Sequence, residues 1–248
     1  MKCPHCEGTQ KQHKAGKTVS GRQRYECMDC QRKYTPHPKA RGYPVELRTK
    51  AIQMYVDGMN YRRIARHLNI SHQTVYRWVS SQAEQTPPPP QPQEVEVAEL
   101  DEVFTFIGDK NNKIYIVTIA DRNTRCILGC KVVWSRTQQV LQQVVDFAPK
   151  AKQYFSDAFD GYCWLWYHCG TYTVSDGKRD TYSVEGDNSE LRHYLARLAR
   201  SSRCFSRCPY ALVCGLRLFI YAFNARQLYK RKHPQYPAHV KDFIPHQT

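Results

Sequence analysis

Three acidic residues stand at the edges of segments patterned to enter a core. Asp101 lies in residues 98–107, an alternating run that predicts a strand; Asp157 closes a short strand at 152–156; Glu185 opens a long helical stretch. Burying a carboxylate is costly unless positive charge compensates it. Two divalent cations on hard oxygen ligands, with phosphates completing the shell, would supply that compensation. The residues alone leave the choice open. Asp101 and Glu102 point to opposite faces of one strand and compete for the first position, and Glu185, Asp187 and Glu190 are equally open for the third. Asp121 and Asp176 read as turn or cap residues.

A second set of ligands opens the chain. Cys3-x2-Cys6 and Cys27-x2-Cys30 are separated by twenty residues. Each pair can turn two sulfurs toward one ion, so four thiolates would close a tetrahedral structural zinc site in a zinc ribbon over 1–40. A redox pair is the weaker reading, and His5 is a bystander. So small a segment has no core of its own, which makes metal binding its folding energy. The charge is basic and uneven: net +15 overall, with 16 Lys and Arg against 6 Asp and Glu in residues 1–85. That balance favours a polyanion partner. The start of the chain lacks the apolar core of a signal peptide, and the longest apolar run, 211–223, is broken by Arg217, so no membrane partner is expected and a reducing, cytoplasmic setting is.

The elements that must position these groups come next. Residues 41–85 carry three helical patterns: an apolar stripe through Val45, Leu47, Ala51, Ile52, Tyr55 and Val56 ended by Asp57-Gly58, a helix at 61–68 capped by Asn60, and a helix at 72–79 capped by Ser71, with Val75, Trp78 and Val79 buried. This is a helix-turn-helix, whose last helix presents His72, Gln73, Thr74 and Arg77 to base edges while Arg62, Arg63 and Arg66 suit phosphates. A proline-rich spacer at 86–97 should separate it, as an independent domain, from residues 98–248. There the pattern runs strand (98–107), strand (113–120), strand (125–133), helix (136–147), strand (152–156), an aromatic helical segment (160–168), a short strand (171–174) and final helices. An antiparallel meander leading into α/β crossovers gives an α/β (α+β) mixed sheet in the ribonuclease H-like layout. The helix after Glu185 should carry Arg192, Arg197 and Arg200 on a basic face continued by Arg203 and Arg207. Trp164 and Trp166 are expected in the core. Cys126, Cys130, Cys163, Cys169, Cys204, Cys208 and Cys214 are expected to act as small buried hydrophobes rather than as a second metal site from Cys163, His168 and Cys169.

The chain resembles the insertion-sequence-one-type (InsA/InsB) transposases. The matches are Cys-Pro-His-Cys near the start, Leu100-Asp101-Glu102, Ser156-Asp157 with nearby Tyr162, Val184-Glu185 followed by Asn188, and the run from Leu191 to Leu198, Leu-Arg-His-Tyr-Leu-Ala-Arg-Leu. The resemblance covers nearly the whole chain, with both halves in one continuous polypeptide where the family typically encodes them apart. It implies a DDE transposase in which Asp101, Asp157 and Glu185 hold two Mg2+ ions, with Mn2+ as a substitute, and Asn188 orients phosphate or water. It further implies double-stranded DNA as partner at element ends and target, a homo-oligomer of at least two copies on paired ends, and a prokaryotic, nucleoid-associated setting. The alternative is a DNA-binding repressor of transposition with an inactive catalytic domain; intact carboxylates favour the enzyme.

Overall fold

The computed structural model describes residues 1–9, 11–36, 42–168, 170–175, 181–199 and 205–245. The chain divides into two units, Met1–Pro44 and Val45–Thr248. The first is a three-stranded antiparallel sheet of β1 (Gln12–Lys17), β2 (Gln23–Cys27) and β3 (Lys33–Tyr34), in that order. Gly21, at φ +79, turns the hairpin from β1 to β2. Its buried hydrophobics are Cys3, Cys27 and Tyr34, too few to hold a fold by apolar burial.

The second unit begins with α1 (Val45–Val56), α2 (Tyr61–Leu68) and α3 (His72–Gln85). Asn60 Oδ1 accepts from the Arg63 amide at 2.9 Å and Ser71 Oγ from the Gln73 amide at 3.1 Å, so the expected caps start both helices. Asn69, left-handed at φ 51, makes the tight turn between them. α3 runs six residues beyond its expected end because Ser80, Gln82 and Ala83 are also buried. Trp78 is half-buried rather than fully enclosed.

Five strands follow: β4 (Val97–Phe106), β5 (Lys113–Asp121), β6 (Ile127–Val133), β7 (Gln153–Ser156) and β8 (Thr171–Val174). Their order is β6-β5-β4-β7-β8, with β4, β5 and β6 antiparallel and β7 and β8 parallel to β4. Helices α4 (Gln138–Phe147), α5 (Tyr182–Tyr194) and α6 (Pro209–Lys232) complete the unit. A meander of three strands followed by two parallel strands beside the first is the ribonuclease H-like arrangement.

The structure corrects several expectations. The helix-turn-helix is not an independent domain: Tyr55, Val56, Ile64, Val75 and Val79 share one core with Val103, Ile116 and Ile127 of the sheet and with Leu212, Phe219 and Phe223 of α6. The proline segment, though neither helix nor strand, is strapped down. The Pro90 carbonyl accepts from Asn224 Nδ2 at 3.0 Å, the Thr86 carbonyl accepts from Arg217, and Gln91 Nε2 reaches the Ile127 and Leu128 carbonyls at 3.4 Å. Arg125 adopts a left-handed φ of 63, so the third strand starts at Ile127. Residues 160–168 form only one 3-10 turn, Asp160–Tyr162, and Trp164 and Trp166 are 74% and 68% exposed rather than in the core. Their backbones are held by glutamines of α4: Gln138 Nε2 donates to the Trp164 carbonyl, and the Gln142 amide group both donates to and accepts from the Trp166 backbone. Among the extra cysteines, Cys126 and Cys214 are buried, Cys130 is half-buried, and Cys163 and Cys208 are exposed. Asp176, Cys169, Arg200, Arg203 and Cys204 lie outside the described residues. No described helix is long and apolar enough to cross a membrane.

Candidate active site

Register brings the first two acids together. β7 pairs with β4 only as far as Ser156 opposite Leu100, so the next residue on each strand, Asp157 and Asp101, emerges at the same end of the sheet. Beyond that point the β7 side of β4 is open. Both Asp101 and Glu102 can therefore reach round the edge, and carboxylate oxygens of Asp101, Glu102 and Asp157 lie within 4.8 Å of one another. Alternation puts Asp101 and Glu102 on opposite faces and does not choose between them; at the free strand edge both carboxylates reach Asp157.

Helix α5 supplies the opposite wall. Asp101, Glu102, Glu185, Asn188, Ser189 and Arg192 line one open cavity of about 830 Å3. Glu185, Asn188, Ser189 and Arg192 recur at three- and four-residue steps and so share a helix face. Asn188 Nδ2 donates to Asp101 Oδ2 at 2.6 Å, and Thr118 Oγ1, across the ladder from Asp101, lies 3.2 Å from Asn188 Oδ1 and 3.1 Å from the Asp101 carbonyl. Asp187 points away from the cavity. It is 2% exposed and paired with Arg125 at 2.8 Å. Glu190 is absent from the cavity lining. Of the three acids left open by spacing, Glu185 is the one that faces Asp101's cavity.

Two buried ion pairs fix α5, and neither was singled out from sequence. Glu99, 0% exposed on β4, accepts from Arg122 Nε at 2.5 Å and from the Val184 amide at 2.9 Å, placing a carboxylate at the α5 N-terminus, where the helix dipole favours it. Arg125 bonds Asp187 and also donates to the Ser183 carbonyl at 2.7 Å. A Cβ at Gly186 would lie 2.5 Å from Arg125 Nη2, so the glycine between Glu185 and Asp187 makes room for the guanidinium. The nearest signal in the sequence was the density of unpaired-looking acids around strand and helix starts.

Burial, then the neighbouring Glu102 and Asp157 charges, raise the Asp101 carboxyl to about 6 against the pull of Asn188. Burial also raises Glu102, which the Arg136 guanidinium 2.8 Å away opposes. Arg136 itself stacks 3.9 Å from the Phe159 ring centroid. Crowded carboxylates that resist ionisation are what a dication relieves. Asp121, by contrast, accepts from the Thr124 amide at 2.8 Å and acts as the expected turn residue.

In the first unit, sulfurs of Cys3, Cys6, Cys27 and Cys30 all lie within 4.8 Å of one another, with Cys3 to Cys30 at 3.8 Å and Cys6 to Cys27 at 3.6 Å. Thiolates about 2.3 Å from a tetrahedral zinc stand about 3.8 Å apart, so the cluster fits that ion. His5 is exposed and donates its backbone N–H to Cys3 Sγ. On the helix-turn-helix, Arg62, Arg63, Arg66, His72, Gln73 and Arg77 are exposed, and Thr74 is half-buried. Arg197 departs from expectation. α5 ends at Tyr194, Leu195 is extended, and Arg197 sits in a 3-10 turn (Ala196–Leu198) with its guanidinium 5.2 Å from the Tyr61 ring and Nη1 2.7 Å from Ser206 Oγ. The helix must break for Leu195 and Leu198 to enter the core beside α1 and α6.

Strand order and a carboxylate cluster at the end of its two central parallel strands define a ribonuclease H-like domain with a candidate metal site, behind a helix-turn-helix. Residues 95–210 match the IS1 transposase family and residues 44–89 a homeodomain-like domain. An IS1-transposase-like region and a homeodomain-like region thus lie in one polypeptide. Among solved structures it is similar to the HTLV-2 integrase catalytic core domain in complex with magnesium (10% identity, 62% of this chain and 83% of that one, TM-score 0.32). It is also similar to the simian T-cell lymphotropic virus intasome in complex with PP2A regulatory subunit B56 gamma (12% identity, 81% and 78%, TM-score 0.40). The fold assignment rests on strand order rather than on these scores. No curated protein matches.

Proposed function

We propose that the protein binds the ends of its insertion sequence through the helix-turn-helix and cleaves and joins DNA phosphodiesters at the Asp101 cavity. The observation that carries this reading is the convergence of Asp101, Glu102 and Asp157 oxygens within 4.8 Å, faced by Glu185 and Asn188 across one open cavity. Hard oxygen donors suit Mg2+ or Mn2+. Asp101, Asp157 and Glu185 would hold two ions, which would supply Lewis acidity and an activated oxygen nucleophile. Asn188 holds Asp101 by a 2.6 Å hydrogen bond and so fixes the carboxylate's direction. Arg192, on the same helix face about one turn beyond Asn188, is placed to meet a phosphate entering the cavity. Glu99 and Arg125 keep α5 against the sheet, so that Glu185 and Asp101 stay in register. His72, Gln73, Thr74 and Arg77 would read base edges, with Arg62, Arg63 and Arg66 on phosphates. The four cysteines would hold one structural zinc. Paired ends call for at least two copies of the chain.

The test is a supercoiled donor plasmid carrying the element's ends, incubated with purified protein with and without Mg2+. Asp157→Asn and Glu185→Gln should keep end binding and lose cleavage by orders of magnitude, whereas Glu190→Gln should cleave normally. Full cleavage by both site variants would remove these acids from the reaction.

A further inference from the structure

A second cavity lies where the helix-turn-helix meets the catalytic fold, and the proposed end-binding reading does not account for it. It measures about 500 Å3 and is lined by Tyr55, Tyr61, Arg62, His72, Arg197 and Arg207, among others, with no carboxylate among the described residues of the lining. Three helix starts reach it. Asn60 is the N-cap of α2, His72 the first residue of α3, and Cys208 the N-cap of α6, which has no side-chain cap. Amides of a first helical turn have no acceptor within the helix, and the aligned peptide dipoles make each start electropositive. Three guanidiniums, Arg62, Arg197 and Arg207, add formal charge.

Two further observations suit the cavity to an anion. Arg197 is half-buried over the Tyr55 and Tyr61 rings, bonds Ser206 and lies beside both tyrosine hydroxyls, and no carboxylate pairs with it among the described residues. Tyr55 is 4% exposed, and its hydroxyl, beside the Arg197 guanidinium and the Tyr61 hydroxyl, makes no hydrogen bond of good geometry among the described residues. A cavity that gathers three guanidiniums, helix starts and a buried hydroxyl with spare hydrogen-bonding capacity, and has no carboxylate among its described lining residues, suits an anion.

We propose that this cavity binds a backbone phosphate of the DNA held by the recognition helix. His72 belongs to both the cavity wall and the start of that helix, so a duplex lying on α3 passes its sugar–phosphate backbone across the opening. Arg62 and His72 come from the helix-turn-helix, Arg197 and Arg207 from the stretch between α5 and α6. One phosphate is thereby gripped from both halves of the chain. Arg192, five residues before Arg197 and ahead of the break at Leu195, lines the Asp101 cavity, so the grip sits beside the path to the reaction centre. This assignment rests on the end-binding reading; it adds a specific phosphate site to it.

The experiment uses the full chain and end-sequence duplexes in which single phosphates along the recognition site are replaced by neutral methylphosphonates. Arg207 is exposed, so Arg207→Ala should fold normally. It should bind natural duplex about tenfold more weakly, the loss of one charge-assisted contact, with the salt dependence of binding reduced by about one phosphate. One methylphosphonate position should weaken the wild type and have no further effect on Arg207→Ala. Arg197→Lys, which keeps the charge and loses the fork, should show the same non-additivity at that position. Additive losses at every position, with Gln73→Ala still impairing end preference, would overturn the phosphate site and leave end binding standing. Failure of the wild type to prefer end DNA over random duplex would overturn both. Thermal stabilisation by inorganic phosphate at constant ionic strength, present in the wild type, lost in Arg207→Ala and accompanied by additive DNA losses, would assign the cavity to free phosphate and overturn the DNA assignment.

Discussion

Replacing Asp101 by asparagine should stabilise the protein in magnesium-free buffer at pH 8 and abolish its response to Mg2+. Burial first, then the Glu102 and Asp157 charges, lift this carboxyl from 3.8 to about 6. For an acid whose folded pKa lies above the unfolded one, the folded state binds the extra proton. The unfavourable free energy is therefore absent below about pH 4, grows as pH rises, and is complete above about pH 6. The full difference corresponds to about 3 kcal/mol. Residual solvent at the cavity screens part of it, which leaves about 1–2 kcal/mol, or roughly 2–8 °C in a unit of this size. Asparagine keeps the geometry, because its carbonyl oxygen can still accept from Asn188 Nδ2, as Asp101 Oδ2 does at 2.6 Å. The assay is thermal unfolding of the Val45–Thr248 unit at about pH 4 and about pH 8, with and without Mg2+. Wild type should gain about 1.4 kcal/mol at ten times the dissociation constant for Mg2+, and Asp101→Asn nothing. A variant no more stable than wild type at pH 8, with the same offset at pH 4, would refute the claim that this carboxylate is held under electrostatic strain.

Cys27→Ser should release one zinc per chain and unfold the Met1–Pro44 unit while the second unit melts unchanged; metal analysis and the two unfolding transitions check this, and a wild type prepared without chelator that carries no zinc would refute it. Gly186→Ala should cost about 1–3 kcal/mol, because its methyl group would stand 2.5 Å from Arg125 Nη2 and displace the partner of buried Asp187; urea unfolding measures it. Gln73→Ala and Arg77→Ala should lose discrimination between end and random DNA by about 1–3 kcal/mol per contact, whereas Arg62→Ala should weaken both alike; competition binding over a salt series separates the two behaviours.

Local patterns were legible wherever the physics is local. Two Cys-x2-Cys pairs foretold four converging sulfurs, Asn60 and Ser71 foretold two helix starts, and the strand pattern foretold the sheet order, because caps, turns and periodicity act over a few residues. Asp101, Asp157 and Glu185 were also marked, the choice among competing acids resting on family resemblance. What the chain order could not say is how edges and faces meet. Glu102 joins Asp101 because β7 ends at Ser156 and opens the strand edge, a fact of register between segments fifty residues apart. Glu99 and Asp187 hold α5 through Arg122 and Arg125, pairs that exist only once the strand and helix are packed.

The proline run read as a spacer because proline cannot join a ladder or a helix interior. The structure instead ties it down through Thr86, Pro90 and Gln91 against α6 and β6. Sequence by itself determined most of the elements, the Asn60 and Ser71 caps, the spacing that brings four cysteines together and the basic charge. Tertiary structure alone decided that the helix-turn-helix and the sheet share one core, that the helix after Glu185 breaks at Leu195, and that Trp164 and Trp166 face solvent. The reason is that burial is a property of the whole packed surface: an apolar or aromatic run announces that it will find a partner, but α6, 24 residues long and contacting both the helices and the strands, determines which one.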